Sequence, residues 1–298
     1  MSAPAGLGAV VAAVAAATGR RLAEDDASPV GGGCIHQAWR LTGPDGPVFV
    51  KTNRADRAGL FECEADGLAG LAEADVLRVP RVLGAGREAG LAWLALEWMD
   101  CRPGGPRAAQ ALGERLAALH SQPRERFGWR RDNAIGATTQ PNDWTDDWAD
   151  FFARRRIGHQ LDVAEAAGLP ARLIDPGRRL QAGVPALLAD RRVAPALLHG
   201  DLWGGNWAAD AQGEPFVFDP AVYCGDPEAD IAMTCLFGGF GPGFRAAYEA
   251  VLPRAPGYAT RQALYQLYHV LNHANLFGGG YVAQAQGMIG RLIAELAP

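Results

Sequence analysis

The run Cys101-Arg102-Pro103-Gly104-Gly105-Pro106 separates two stretches of chain whose apolar residues repeat with different periods, and this change limits the fold more than any other feature. Before it, short apolar runs alternate with glycine-rich breaks. Ala38 to Leu41, Pro47 to Lys51, Arg81 to Ala85 and Leu91 to Glu97 have the length and composition of strands. Between the second and third, Leu60, Phe61, Leu68 and Leu71 recur at helical spacing on a segment that also carries Glu62 and Glu64. After the break the period is helical over roughly 107–121, 143–168, 170–190, 227–237, 243–251, 258–277 and 281–296. The expected class is α+β, with a small antiparallel sheet crossed by one main helix and then a larger helical region.

With 298 residues, 49% of them hydrophobic, and only 38 glycines and 20 prolines, the chain has ample material for a packed core. A net charge of −5 and a pI near 5.7 leave no basic field of the kind duplex binding needs, so nucleic acid is not an expected partner. The apolar run Ala5 to Thr18 has no basic start and is too short to span a bilayer, and it reads as a packing helix. Five cysteines, odd in number and without a CxxC pair, suit reduced thiols and a cytoplasmic location.

Two short apolar runs interrupt the helical region, Ala196 to Leu198 and Phe216 to Phe218, and each leads directly into an aspartate-bearing loop. The first loop reads His199-Gly200-Asp201-Leu202-Trp203-Gly204-Gly205-Asn206, and Asp219 opens the second. Phosphoryl transfer from ATP divides its labour in this way. One aspartate accepts or orients the hydroxyl proton, while an asparagine and a second aspartate hold the Mg²⁺ that bridges the phosphates. Asp201 is the candidate base, and Asn206 and Asp219 are the candidate metal ligands. Singly, each is more often a turn or cap residue, and it is the combination behind two strands that carries the reading. His199 is expected to hold the loop through a backbone hydrogen bond rather than to transfer a proton.

Of 28 basic residues 27 are arginine, and Lys51 is the only lysine. A coding bias accounts for the arginines and leaves one place where a compact ammonium was kept. Upstream, Gly31-Gly32-Gly33-Cys34-Ile35-His36-Gln37-Ala38 makes a flexible turn before a strand, suited to bringing backbone N–H groups against phosphates. Lys51 on the next strand and Glu64 on the next helix complete a phosphate clamp. Glu62 competes for the same lysine, with Glu64 preferred. Glu97, Trp98 and Met99 end the last strand, where backbone groups would meet an adenine edge. His269 and His273 are spaced i, i+4, but Val270 stands where a zinc-protease helix carries its glutamate, so a structural role is expected. Arg154-Arg155-Arg156, near Asp150, reads as a solvated ion-paired face.

On these motifs the sequence resembles the fructosamine kinase (ketosamine 3-kinase) family, within the protein-kinase-like fold that also contains aminoglycoside phosphotransferases and choline kinases. The resemblance runs nearly end to end: HGDLWGGN at 199–206, FDPAVYCGDPEADIAM at 218–233, LFGGF at 236–240, IGATTQPN at 135–142 and QLYHVLNHANLFGGGY at 266–281. It implies a bilobal protein-kinase-like fold, with an ATP-binding lobe over 1–100 and a helical lobe over 101–298 that holds the catalytic loop and substrate site. It implies transfer of phosphate from Mg-ATP to the sugar 3-hydroxyl of a ketosamine, a fructosamine or ribulosamine free or on a glycated amine, and so deglycation.

Residue by residue, the resemblance makes Asp201 the proton acceptor, Lys51 and Glu64 the clamp, Asn206 and Asp219 the metal ligands and 97–99 the adenine hinge. Trp203 becomes a sugar platform, and Glu228 and Asp230 become anchors of the catalytic loop. Phe218-Asp219-Pro220 stands where protein kinases carry Asp-Phe-Gly, and the proline argues against a switch that flips this segment. Cys34 is expected to be weakly sensitive to oxidation. The alternatives are another small-molecule kinase of the same fold, acting on an aminoglycoside, choline or a homoserine-like alcohol, and a non-catalytic nucleotide-binding module.

Overall fold

The structure, a computed structural model, describes residues 4–31 and 35–296. Gly32, Gly33 and Cys34, expected to belong to a phosphate turn, lie outside the described residues. The first lobe comprises α1 (Leu7–Thr18), β1 (Ala27–Val30), β2 (Gln37–Leu41), β3 (Val48–Arg54), α2 (Ala58–Glu73), β4 (Val82–Glu88) and β5 (Leu91–Glu97). Its strands form one antiparallel sheet in the order β1-β2-β3-β5-β4. Strand β1 was not expected. It is an edge strand of Ala-Ser-Pro-Val, without apolar alternation, and an edge is where a sheet tolerates proline.

The two-residue period of the strands sorts the core. Val48 and Val50 of β3 and Trp93 and Ala95 of β5 pack against Leu7, Val10, Val11 and Val14 of α1. The alternate positions Ala92, Leu94 and Leu96, with Phe49, pack against Ala58, Phe61 and Leu68 of α2. Lys51, one step beyond Val50, therefore belongs to the face covered by α2.

The linker lies against the second lobe. Arg102 bridges to Ala209, and a Cβ on Gly104 would fall 2.0 Å from the Trp207 ring. Pro106 then opens α3 (Pro106–His120) at a position where its missing N–H costs nothing. The lobe continues through the hairpin β6 (Asn133–Ile135) and β7 (Thr138–Gln140), α4 (Trp148–Phe151), a π-helical stretch Phe152–Gly158, α5 (His159–Ala166) and α6 (Ala171–Leu187). Next come β8 (Ala196–Leu198), β9 (Trp207–Ala209), β10 (Pro215–Val217) and β11 (Tyr223–Gly225), paired antiparallel as β8 with β11 and β9 with β10. The helices α7 (Glu228–Thr234), α8 (Pro242–Val251), α9 (Tyr258–Phe277) and α10 (Gly280–Ala294) complete it.

The helix expected over 143–168 begins at Trp148 and contains a π turn, within which Arg156 is turned inward. Arg154 and Arg155 do form surface ion pairs, with Asp150 and Asp143. Arg156 is 0% exposed, with its guanidinium 4.0 Å from the Tyr223 ring centroid and 4.5 Å from that of Phe151. It donates to Pro141 O at 2.7 Å and Asn142 Oδ1 at 2.8 Å. The extra residue in the turn accompanies the inward rotation of this side chain.

An apolar cluster that includes Leu71, Leu112, Leu116, Leu197, Leu202, Val217 and Val222 runs from the foot of α2 beneath the two aspartate loops. Among the described residues no helix is long and apolar enough to cross a membrane.

Candidate active site

The cleft between the lobes is centred on one ion-paired cluster. Lys51 Nζ donates to Glu64 Oε1 at 2.7 Å and to Asp219 Oδ1 at 2.5 Å, so a strand and helix of the first lobe meet a loop of the second. Glu64 belongs to the buried stripe of α2 with Phe61 and Leu68, whereas Glu62 is turned outward to Arg87 and Arg131. Burial works against the ammonium, but Glu64 and Asp219 outweigh it and raise Lys51 above its ordinary range. Burial lifts Glu64 to about 7 against the pull of Lys51. Burial would raise Asp219 too, yet Lys51 beside it holds that carboxyl below the usual carboxylate range.

The two aspartate loops are fastened to each other and to α7. Ala221 N–H donates to His199 O, and Phe218 N–H donates to Asn206 O. Asp230 accepts the amides of His199 and Gly200 at 2.7 and 2.9 Å, and so anchors the first loop directly. Glu228 instead binds Arg261, tying α7 to α9. Gly200 has φ +81°, and a Cβ there would fall 1.9 Å from Ala221 O, so the crossing of the loops requires glycine. Asp219 itself has φ +55°, a left-handed conformation held by these neighbours. His199 pairs its Nε2 with Phe218 O at 3.0 Å and its Nδ1 with the Asp201 amide at 3.3 Å. Both ring nitrogens are spent on backbone, and burial lowers its pKa, so it holds the loop as a neutral ring.

Asp201 is 23% exposed at the cleft, and burial, reinforced by Asp219, pushes its carboxyl up to about 7. Asn206 Nδ2 donates to Asp201 O at 2.9 Å, to Asp201 Oδ2 at 3.2 Å and to Asp219 O at 3.4 Å. The amide orientation leaves Asn206 Oδ1 without a hydrogen bond among the described residues. That oxygen and the Asp219 carboxylate are hard donors on adjoining segments, a set that fits Mg²⁺.

Two residues of the cleft were not assigned to the site from sequence. His269 Nδ1 lies 4.0 Å from Asp201 Oδ1 and has no hydrogen-bond partner. Burial and His273 push its pKa down to about 3, so the contact is not an ion pair. Its position one turn before His273, in the motif at 266–281, was the available signal. His36, in the motif at 31–38, places Nδ1 2.8 Å from Asn53 Nδ2 and its ring 4.7 Å from Phe61. Burial, then Lys51, lowers it to about 4, and the neutral ring carries its proton on Nε2.

Trp203 is 38% exposed, and its ring lies back over Gly205, where a Cβ would come within 2.3 Å of the indole. Its edge meets Phe237 at 6.1 Å between centroids. The loops carrying the two rings touch through glycines, since a Cβ on Gly239 would be 2.7 Å from Gly204 Cα.

At the far end of the cleft the Glu97 amide is used by Arg81 O at 2.8 Å. The amides of Trp98 and Met99 have no hydrogen bond among the described residues. Trp98 is overlaid by Arg40, and Met99 is buried with Ala208 and Phe216. Gly31 is exposed, and a Cβ there would touch nothing.

A family model described as fructosamine kinase matches residues 8–295. A Synechocystis protein bearing the name ketoamine kinase is 47% identical over 91% of this chain and 92% of its own length. A chloroplastic protein-ribulosamine 3-kinase of Arabidopsis thaliana is 42% identical over 87% of this chain and 80% of its own. A solved structure from Haemophilus somnus bearing the name fructosamine-3-kinase superposes with a TM-score of 0.86 at 31% identity, covering 95% and 96% of the two chains. The aminoglycoside phosphotransferase APH(4)-Ia, at 16% identity and a TM-score of 0.61, shares the protein-kinase-like fold.

Proposed function

The chain belongs to the fructosamine kinase family, and from that premise we propose that it transfers the γ-phosphoryl group of ATP to the 3-hydroxyl of a ketosamine. The observation that carries this reading is the convergence of Lys51, Glu64 and Asp219 across the cleft, with Asp201 and Asn206 alongside. In this reading ATP lies between a lobe of residues 1–100 and one of 101–298. Its adenine edge meets the backbone at 97–99, its phosphates lie against the glycine run that the sequence places at 31–33, and Lys51 holds a phosphate oxygen. Asn206 and Asp219 hold Mg²⁺, which when bound neutralises the charge on the phosphates.

Asp201, partly exposed at the cleft, accepts in its ionised form the proton of the 3-hydroxyl as the oxygen–phosphorus bond forms and the bond to ADP breaks. Asn206 Nδ2, which donates to Asp201 Oδ2, keeps the carboxylate oriented, and the Trp203 face carries the sugar ring. Phosphate at C3 is a better leaving group than hydroxyl, so the product sheds phosphate spontaneously and then, on hydrolysis, its amine. We place this reaction in the cytoplasm, where thiols stay reduced, in keeping with four described cysteines that form no disulfide.

The test is mass spectrometry of fructoselysine incubated with the protein, ATP and Mg²⁺. The ketosamine should gain one phosphate, and should not when chelator removes the metal. ATP turnover with choline or an aminoglycoside but no ketosamine would reject the reading.

A further inference from the structure

We infer that the rings of Phe237, Phe277 and Tyr281, gathered round His273, form a subsite for the protonated secondary amine of the substrate and its alkyl arm. The inference rests on the ketosamine kinase reading and assigns the part of the substrate that Asp201 and Trp203 leave unaccounted for.

The rings are contiguous. Phe237 meets Trp203 on one side and the His273 ring on the other, at 5.1 Å between centroids. His273 lies 5.6 Å from Phe277 and 5.0 Å from Tyr281. Phe237 is 41% exposed and Phe277 59%, so the strip is open surface leading outward from the cleft.

Its distance from the base matches the substrate. His269, which faces Asp201, and His273 are four residues apart on α9, about 6 Å along the axis. In a ketosamine four bonds of about 1.5 Å separate the 3-oxygen from the nitrogen, a span of roughly 4–5 Å. With the 3-hydroxyl on Asp201, a substrate running along α9 brings its nitrogen to His273.

The chemistry there suits an ammonium. His273 Nδ1 is 2.8 Å from His269 O, and a carbonyl only accepts, so Nδ1 carries the hydrogen. In the neutral ring Nε2 is then a lone-pair acceptor, able to take one N–H of the amine. The ring faces around it carry the negative quadrupole that attracts a cation. From Gln262 to Gly290 the chain has no Asp, Glu, Lys or Arg, and none stands between Ile231 and Phe244. Neither segment contributes a carboxylate to pair with the amine or a cation to repel it. Recognition falls to the rings and Nε2.

The test compares N-butyl fructosamine with its uncharged ether isostere, 1-O-butyl fructose, by titration calorimetry without ATP. The wild type should bind the amine about tenfold more tightly, the size that two or three cation–π contacts on an exposed strip give together. Phe277→Leu and Phe237→Leu keep apolar bulk and remove the ring face, and each should cut that preference severalfold. Amine and ether affinities within twofold in the wild type, or a preference unchanged in both variants, overturns the inference. Ring-dependent preference without phosphorylation of any ketosamine would sink the kinase reading and leave the amine subsite standing. Phosphorylation with equal affinity for amine and ether would do the reverse.

Discussion

Lys51 occupies a pocket between two carboxylates, its Nζ 2.7 Å from one and 2.5 Å from the other. An arginine would keep the charge but not the shape, since its planar five-donor fork cannot converge both carboxylates on one point. Lys51→Arg should therefore fold, by circular dichroism, and lose at least about a hundredfold in kcat/KM for ATP. Asp201 makes a different prediction, about stability. Its folded pKa, raised from 3.8 to about 7, means the native protein holds this proton more firmly than the unfolded chain does. The stability linked to that proton is fully present below pH 3.8 and is lost as pH rises through 7. Asp201→Asn, which has no charge to bury, should abolish turnover while ATP still binds. Without nucleotide it should be more stable than wild type above pH 7 by about 1–3 kcal/mol, a figure reduced for the partial exposure of the side chain. Urea denaturation at pH 8 and at pH 4 checks this, and the gain should vanish at the lower pH.

Among the elements, the π-helical stretch at Phe152–Gly158 carries a buried cation, Arg156. Arg156 is buried with carbonyl oxygens and aromatic faces as partners, and its Nε has no acceptor. Arg156→Met, close in volume, would leave Pro141 O and Asn142 Oδ1 without their donors, and should cost about 2–4 kcal/mol in urea denaturation. This element was also the least legible in the sequence. Three adjacent arginines look alike until the fold shows which one faces inward. Helix α9 was readable over its whole length because twenty residues keep a helical period, whereas β6, β7, β9 and β11 are three-residue strands with too little length for alternation to show. The Glu64 pairing was half legible. Phe61, Glu64 and Leu68 share a stripe that excludes Glu62, yet only the fold brings Asp219, 168 residues away, to the same lysine. His269 was set aside once a zinc site failed, because its nearness to Asp201 depends on how α9 packs.

Across the whole molecule, α2 is fastened to the second lobe rather than free to swing. Asp66 accepts the Trp129 indole N–H at 2.6 Å and Arg130 Nε at 2.8 Å. Gly70 lies so near the Trp129 ring that a Cβ would be 2.8 Å away, and a Cβ on Gly67 would sit 3.2 Å from Pro220, next to Asp219. The helix that carries Glu64 and the loop that carries Asp219 are thus packed directly against each other, and the Pro220 ring fixes φ next to Asp219. A clamp built this way is assembled before nucleotide arrives, with no helix rotation or segment flip required. Asp66 makes no hydrogen bond to Lys51 or to residues 97–99, so its effect on ATP use must pass through the placement of α2. Asp66→Ala should lower kcat/KM for ATP about tenfold, and in a Glu64→Gln background should cost little more, because the carboxylate it positions has already been neutralised. A double-mutant cycle measures this. Fully additive losses would mean that the strap stabilises the lobe contact without acting through the clamp.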